Sequence, residues 1–268
     1  MKIRLISLCV LCMVGMSGCY TNPVTGRKSM VAITQAEELL QGESSFQGIR
    51  RTSNVVTDER VTSRVKRVGE RIAKVVGEQM PGAKWEFVVF DSQEANAFAL
   101  PGGKVGVYAG LLRLAENDSE LAIVVGHEIG HVVARHGAER MTQAMVIAGV
   151  GALGAAAVEE KTDTKTRDLF LLAYGGVTTV LGVLPHSRSN ESEADRMGII
   201  YAARAGYDPR AAIGFWQKMA RQKGSISAGS SVPAWLATHP SDEKRITDLQ
   251  ALMPGVVPIY EASRSKFQ

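Results

Sequence analysis

At 268 residues, with 45% hydrophobic and 22% charged side chains, the chain has the composition of a globular protein with a sizeable core, read as one large domain behind an N-terminal appendage. Lys2 and Arg4 belong to a segment expected to be removed, which lowers the 31 basic residues to 29 against 27 acidic ones, so the charge of +4 gives no argument for a nucleic-acid partner. All three cysteines (Cys9, Cys12 and Cys19) lie in the first 19 residues, leaving the folded part neither a disulfide framework nor a cysteine nucleophile.

The chain opens with a positive Lys2/Arg4 region and an apolar run from Leu5 to Met16, short for a bilayer span and suited to an export signal. It ends in Met16-Ser17-Gly18-Cys19, which resembles the lipobox of bacterial lipoproteins, where the signal is cut before the cysteine and the thiol is acylated. Residues 1–18 are therefore read as a lipoprotein-type signal peptide and Cys19 as the lipidation site that holds the chain at a membrane. Residues 19–33 form a lipid-anchored arm containing the turn-rich Asn22-Pro23-Val24-Thr25-Gly26-Arg27. Tyr20 after the cysteine, where Asp would retain an enterobacterial lipoprotein in the inner membrane, points to the outer membrane and its periplasmic face.

Helices are predicted from about Thr34 to Arg50 and from about Asp58 to Gly77, the second with Val61, Val65, Val68, Ile72, Val75 and Val76 on one stripe. Lys84 to Asp91 has strand composition. Asn96–Leu100 and Lys104–Tyr108 flank the turn signal Pro101-Gly102-Gly103 and read as a hairpin. Its residues Asn96, Ala97 and Phe98 are candidates for an edge along which a substrate peptide lies as an added strand, although a hairpin that only supports its neighbour has the same pattern. Ala109–Ala115 reads as a short helix.

The most informative helix runs from Asn117 to His136. Asn117 and Glu120 form a capping-box signature, and Leu121, Val124, Val125, Ile129, Val132 and Val133 mark a broad buried face. In this setting stands His127-Glu128-Ile129-Gly130-His131. Histidines four apart leave a helix on the same side, one turn apart, and two neutral imidazoles so placed suit one Zn2+ ion. Glu128, one position round, suits a general base for water better than a ligand. Burying a Glu and two His among valines without a partner such as a metal would be costly. His136, nine positions beyond His127, is expected to face away from them.

Two apolar stretches follow, 141–158 and 169–185, each borderline for a membrane span and read as helices packed over the cleft. Gly149, Gly151 and Gly154 fit a nucleotide-loop spacing, but no strand precedes them. In Asn190-Glu191-Ser192-Glu193-Ala194-Asp195, Glu191 and Asp195 share one helix face and Glu193 points roughly opposite. A zinc hydrolase needs a third protein ligand and one open position. Glu191 suits the former, and Asp195 suits a hydrogen bond to a ligand histidine. A helix from Asp208 to about Gln222, a Gly/Ser loop from Gly224 to Ser231 and a last helix ending near Met253 complete the chain, with an irregular tail after Pro254.

Together Asn-Pro-Val-Thr-Gly-Arg, Asn96-Ala97-Phe98-Ala99-x-Pro101-Gly102-Gly103, His127-Glu128-x-x-His131, Ser187-Arg188-x-x-Glu191-x-Glu193-Ala194-Asp195 and His239-Pro240 resemble, in order, metallopeptidase family 48, the group containing HtpX, the CAAX prenyl proteases and the mitochondrial OMA-type proteases. The resemblance covers most of the chain from Asn22 to about Arg245. It implies an α+β, predominantly helical fold, a zincin-type (gluzincin) metalloprotease domain with a small β-sheet, over residues 34–255, followed by a tail at 256–268. It implies one Zn2+ held by His127, His131 and Glu191, Glu128 as catalytic base, and Asp195, His239 and Arg245 in supporting or regulatory places around the metal. His239 would either plug the open zinc position or steady the oxyanion of the transition state; His186 is a further histidine near the Glu191 helix, unsupported by the resemblance. The implied function is a zinc endopeptidase acting on misfolded or unassembled cell-envelope proteins, with the outer-membrane assembly machinery as a partner. The rivals are a mostly silent zinc-containing chaperone or assembly factor and an intramembrane protease.

Overall fold

The structure is a computed structural model and describes residues 18–152, 187–224, 235, 239 and 243–267, with the side chains of 146–152 and 222–224 excepted. Gly154 of the Gly-x-Gly-x-x-Gly stretch, residues 153–158 and 169–185 of the two apolar runs, His186 and residues 225–231 of the Gly/Ser loop lie outside what is described; Gly149 and Gly151 fall within a helix. Among the described residues no helix is long and apolar enough to cross a membrane.

The arm is a β-hairpin. β1 (Gly18–Thr21) pairs antiparallel with β2 (Lys28–Val31), and Cys19 is exposed opposite Met30. Asn22 builds the turn, its Oδ1 accepting the amides of Val24 and Thr25. Two helices follow: α1 (Gln35–Thr52), started by a Thr34/Glu37 capping box, and α2 (Glu59–Val76), capped by Asp58, with Val65, Val68, Ile72 and Val76 buried.

β3 (Glu86–Phe90), β4 (Ala97–Leu100) and β5 (Lys104–Tyr108) form a sheet of order β3-β5-β4; β3 and β5 are parallel, β4 and β5 are the expected antiparallel hairpin. β4 is thus an edge. Its residues Ala97 and Phe98 are buried, as is Asn96 before it; the Phe98 ring packs against Phe46, Phe90 and Tyr108.

After α3 (Ala109–Leu114) comes α4 (Asp118–Val133), the core helix. Asn117 Oδ1 accepts the Glu120 amide, but Glu120 bonds back to the amide of Glu116 and to Lys218 instead of completing the capping box on Asn117. The helix is not buried on one broad face alone, because every residue from Glu120 to Val133 is buried. The sheet, α2 and the later helices enclose it on all sides. It also ends earlier than its sequence pattern indicates. Arg135 takes φ of 55°, reversing the chain so that α5 (His136–Ala152) starts as a separate helix. This conformation disfavours a side chain; it is held by Arg135 donating to the Ile33 carbonyl at 2.6 Å and pairing with Glu38.

α6 (Arg188–Arg204) runs against α4, followed by α7 (Ala211–Gly224) and α8 (Glu243–Ser263). The two site-bearing helices cross at Gly126 and Gly198. A Cβ at Gly126 would lie 2.8 Å from the Gly198 carbonyl oxygen, and one at Gly198 would lie 2.7 Å from the His127 nitrogen. Only glycines permit this approach. α8 continues through Pro254 and Pro258, so the tail expected to be irregular is helical: Val256 is buried in the core and Ile259 and Tyr260 pack on it. That packing outweighs the two lost helix hydrogen bonds.

Candidate metal centre

α4 and α6 carry the site, and their contact at Gly126/Gly198 sets its dimensions. From α4, His127 and His131 project together, with Nε2 atoms 3.0 Å apart. From the first turn of α6, whose start is capped by Ser187, Glu191 brings Oε1 to 3.2 Å of His131 Nε2 and Oε2 to 3.6 Å of His127 Nε2. His239 arrives from near the end of the chain, its Nδ1 3.2 Å from His127 Nε2 and 3.0 Å from Glu191 Oε1. All four side chains are buried. One ligand atom from each lies within 4.8 Å of every other, the group of this kind found among the described residues.

These spacings fit a small tetrahedral cation. Ligand atoms at about 2.0–2.1 Å from one ion at tetrahedral angles stand about 3.3 Å apart, in the middle of the observed 3.0–3.6 Å. The donor chemistry agrees. Asp195 Oδ1 lies 3.0 Å from His127 Nδ1 and accepts its proton, which leaves the Nε2 lone pair directed at the common point. Asp195 is itself held by Arg245, whose Nη2 donates to Oδ1 at 2.7 Å and whose Nε donates to Oδ2. Arg245 also reaches Glu191 Oε2 at 2.8 Å and stacks over Trp216, its Cζ 3.4 Å from the ring centre. The Arg245 guanidinium thereby orients both carboxylates.

The electrostatics follow from this enclosure. Burial pushes the Glu191 carboxyl up, but His239 and the Arg245 guanidinium beside it override this and hold it well below the usual carboxylate range. Burial likewise raises Asp195, and Arg245 more than compensates. His131 is driven well down by burial, which keeps its imidazole neutral as a ligand requires.

Glu128 lies beside the group, its Oε1 3.4 Å from His239 Nε2 and 2.6 Å from Trp235 Nε1, which donates to it. The Trp235 amide also reaches the Ala95 carbonyl at 3.2 Å, just before the β4 edge. Ala95 thus links the chain just before β4 to Trp235, while the Phe98 ring belongs to the core.

His136 is where the sequence reading errs. It does not face away, because the break at Arg135 turns it back until its Nδ1 lies 2.9 Å from His131 Nδ1. Its Nε2 lies 2.9 Å from Glu193, the residue on the far side of α6 from Glu191. Burial lowers the pKa of His136 against the pull of Glu193. Helical periodicity carries no signal for a helix end set by one left-handed residue, so this pair was not legible as part of the site. Trp235 was missed too, for it lies in no periodic or motif-like run.

A mostly helical domain with a small sheet, a His-Glu-x-x-His helix and a glutamate from a second helix define a zincin-type metallopeptidase. The comparison with known families agrees: the Peptidase family M48 profile matches residues 59–253, and the chain belongs to that family, whose members depend on zinc. The chain is 37% identical over 190 residues to the Mitochondrial metalloendopeptidase OMA1 of Schizosaccharomyces pombe, covering 71% of this chain and 52% of that protein. It is 29% identical over 261 residues to its Saccharomyces cerevisiae namesake, covering 90% and 71%. To the Beta-barrel assembly-enhancing protease of Escherichia coli it is 28% identical over 250 residues, covering 92% and 50%. The chain thus spans about half the length of the first and third of these relatives.

Proposed function

We propose that the chain is a zinc endopeptidase that hydrolyses misfolded or unassembled proteins of the bacterial cell envelope, held by lipid on Cys19 at the periplasmic face of the outer membrane. The observation that carries the enzymatic part is the convergence of His127, His131, Glu191 and His239 on one point with Glu128 alongside. The envelope part is supported by the lipobox-like Met16–Cys19 and by a relative named for β-barrel assembly.

In this reading His127, His131 and Glu191 hold Zn2+, which supplies Lewis acidity, polarising the scissile carbonyl and lowering the pKa of water. Glu128 takes the proton of the attacking water and delivers it to the leaving amine. Asp195, steadied by Arg245, keeps the His127 lone pair on the metal. A substrate strand lies along the β4 edge at Asn96, Ala97 and Phe98, recognised through main-chain hydrogen bonds. His239 Nδ1, 3.2 Å from His127 Nε2 and 3.0 Å from Glu191 Oε1, would take the fourth position around the ion and hold the enzyme latent until it moves away.

A latent site also favours a second reading, an assembly factor for outer-membrane proteins in which proteolysis is mostly silent; the specific observation is that His239 and Trp235 both engage Glu128. Cleavage of β-casein by the zinc-loaded protein and by Glu128→Gln separates the two. The enzyme reading expects cleavage that disappears in the variant while zinc content is unchanged. Equal turnover by both proteins would exclude Glu128 as the base, and no turnover by either would favour the assembly factor. Mass spectrometry of the mature N-terminus tests the anchor, and an unmodified Cys19 would refute it.

A further inference from the structure

His127 has a carboxylate behind it; His131 has instead another imidazole, and behind that a carboxylate gripped by the N-terminal arm. We propose that His136 and Glu193 are positioning residues of the metal site, fixing the tautomer and orientation of His131, and that the Asn22–Arg27 turn holds Glu193 in place for that task. The inference rests on His131 being a metal ligand.

Hydrogen-bond direction carries it. Glu193 Oε1 accepts from Asn22 Nδ2 at 2.8 Å and from Thr25 Oγ1; Oε2 accepts from Arg27 Nε. A carboxylate surrounded by these donors only accepts, so in its 2.9 Å contact with His136 the proton sits on His136 Nε2. A neutral imidazole protonated at Nε2 offers only a lone pair at Nδ1. His131 Nδ1, 2.9 Å away, must therefore be the donor, and the His131 Nε2 lone pair is left pointing at the metal position. The inner part of the relay is enclosed, with His136 0% and Asn22 2% exposed, while Arg27 closes it at a partly exposed rim. The arm motif, which ends at Arg27, far in sequence from the start of the zinc helix at Asp118, thereby enters the site. Its Tyr20 hydroxyl also bonds to the Val133 carbonyl at the end of the zinc helix, and Arg27 pairs with Glu139 at 2.9 Å.

The test is zinc affinity of the full chain by chelator competition, with thermal unfolding of the metal-free forms measured alongside. His136→Leu and Glu193→Leu are expected to weaken zinc binding by about 10–100-fold, the usual effect of losing the partner behind a ligand histidine. His136→Asn, whose Oδ1 still accepts from His131, and Glu193→Gln, whose Oε1 still accepts from His136, should stay within a few-fold of the parent. The double variant Thr25→Val/Arg27→Met should fall between. Equal losses in His136→Leu and His136→Asn would make the residue a packing element and overturn the inference, as would parent-like affinity in His136→Leu and Glu193→Leu. If His136→Leu does not fold, Glu193→Leu and the arm variant decide. His131→Ala tells the two readings apart: retained zinc affinity there removes the ligand assignment itself, whereas its loss with an unaffected Glu193→Leu removes only the relay.

Discussion

Trp235 donates its indole N–H to Glu128 Oε1 at 2.6 Å, so the proposed base is already an acceptor in this conformation. One turn on, His239, whose amide bonds to the Trp235 carbonyl at 2.8 Å, faces Glu128 and the metal position together. Trp235 and His239 thus both reach Glu128, and His239 also reaches His127 and Glu191. With His239 as a plug, His239→Ala should cleave β-casein faster at unchanged zinc content, since three ligands remain. A loss of about a hundredfold or more would instead assign His239 to stabilising the transition state.

Removing the proposed third ligand should act on the metal before it acts on the fold. Glu191→Ala made in the His239→Ala background leaves His127 and His131 alone, so zinc occupancy after dialysis should fall sharply below that of His239→Ala. Full occupancy in the double variant, read by metal analysis, would show that Glu191 is not a ligand.

The helix crossing predicts a stability effect with a metal readout. Gly198→Ala would put a Cβ 2.7 Å from the His127 nitrogen, against backbone that cannot rotate away. The helices must separate, costing about 1–3 kcal/mol. Chemical denaturation should show that loss, and zinc affinity should fall with it because Glu191 moves with α6. An unchanged denaturation midpoint would mean the crossing has room to adjust.

A pH effect is expected at the start of the zinc helix. Asp118 binds Arg64 at 3.0 Å and Arg67 at 2.9 Å; burial raises its pKa, but the two guanidinium groups lower it further, below the ordinary value. A depressed folded-state pKa contributes stability that is fully present above the unfolded value of about 3.9 and is lost as pH falls through the folded value. Asp118 is partly exposed, so the contribution is about 1 kcal/mol or less. In the metal-free protein, Asp118→Asn should be less stable than the parent at pH 7, and the gap should close below about pH 4. A gap independent of pH would assign the effect to packing.

Local chemistry determined much of this protein from sequence alone. The β4–β5 hairpin, α2, the cap at Asn117, the paired histidines and the shared face of Glu191 and Asp195 all follow from spacing within one element, where geometry is fixed by helix or strand period. Tertiary structure decided what periodicity cannot encode. The left-handed Arg135, two residues beyond Val133, ended the zinc helix and turned His136 onto His131. The glycine contact between α4 and α6 put Glu193 where the arm could grip it. Packing of Val256 carried α8 through two prolines. In each case the deciding interaction joins residues far apart in sequence, and its energy exists only once the chain has folded around it.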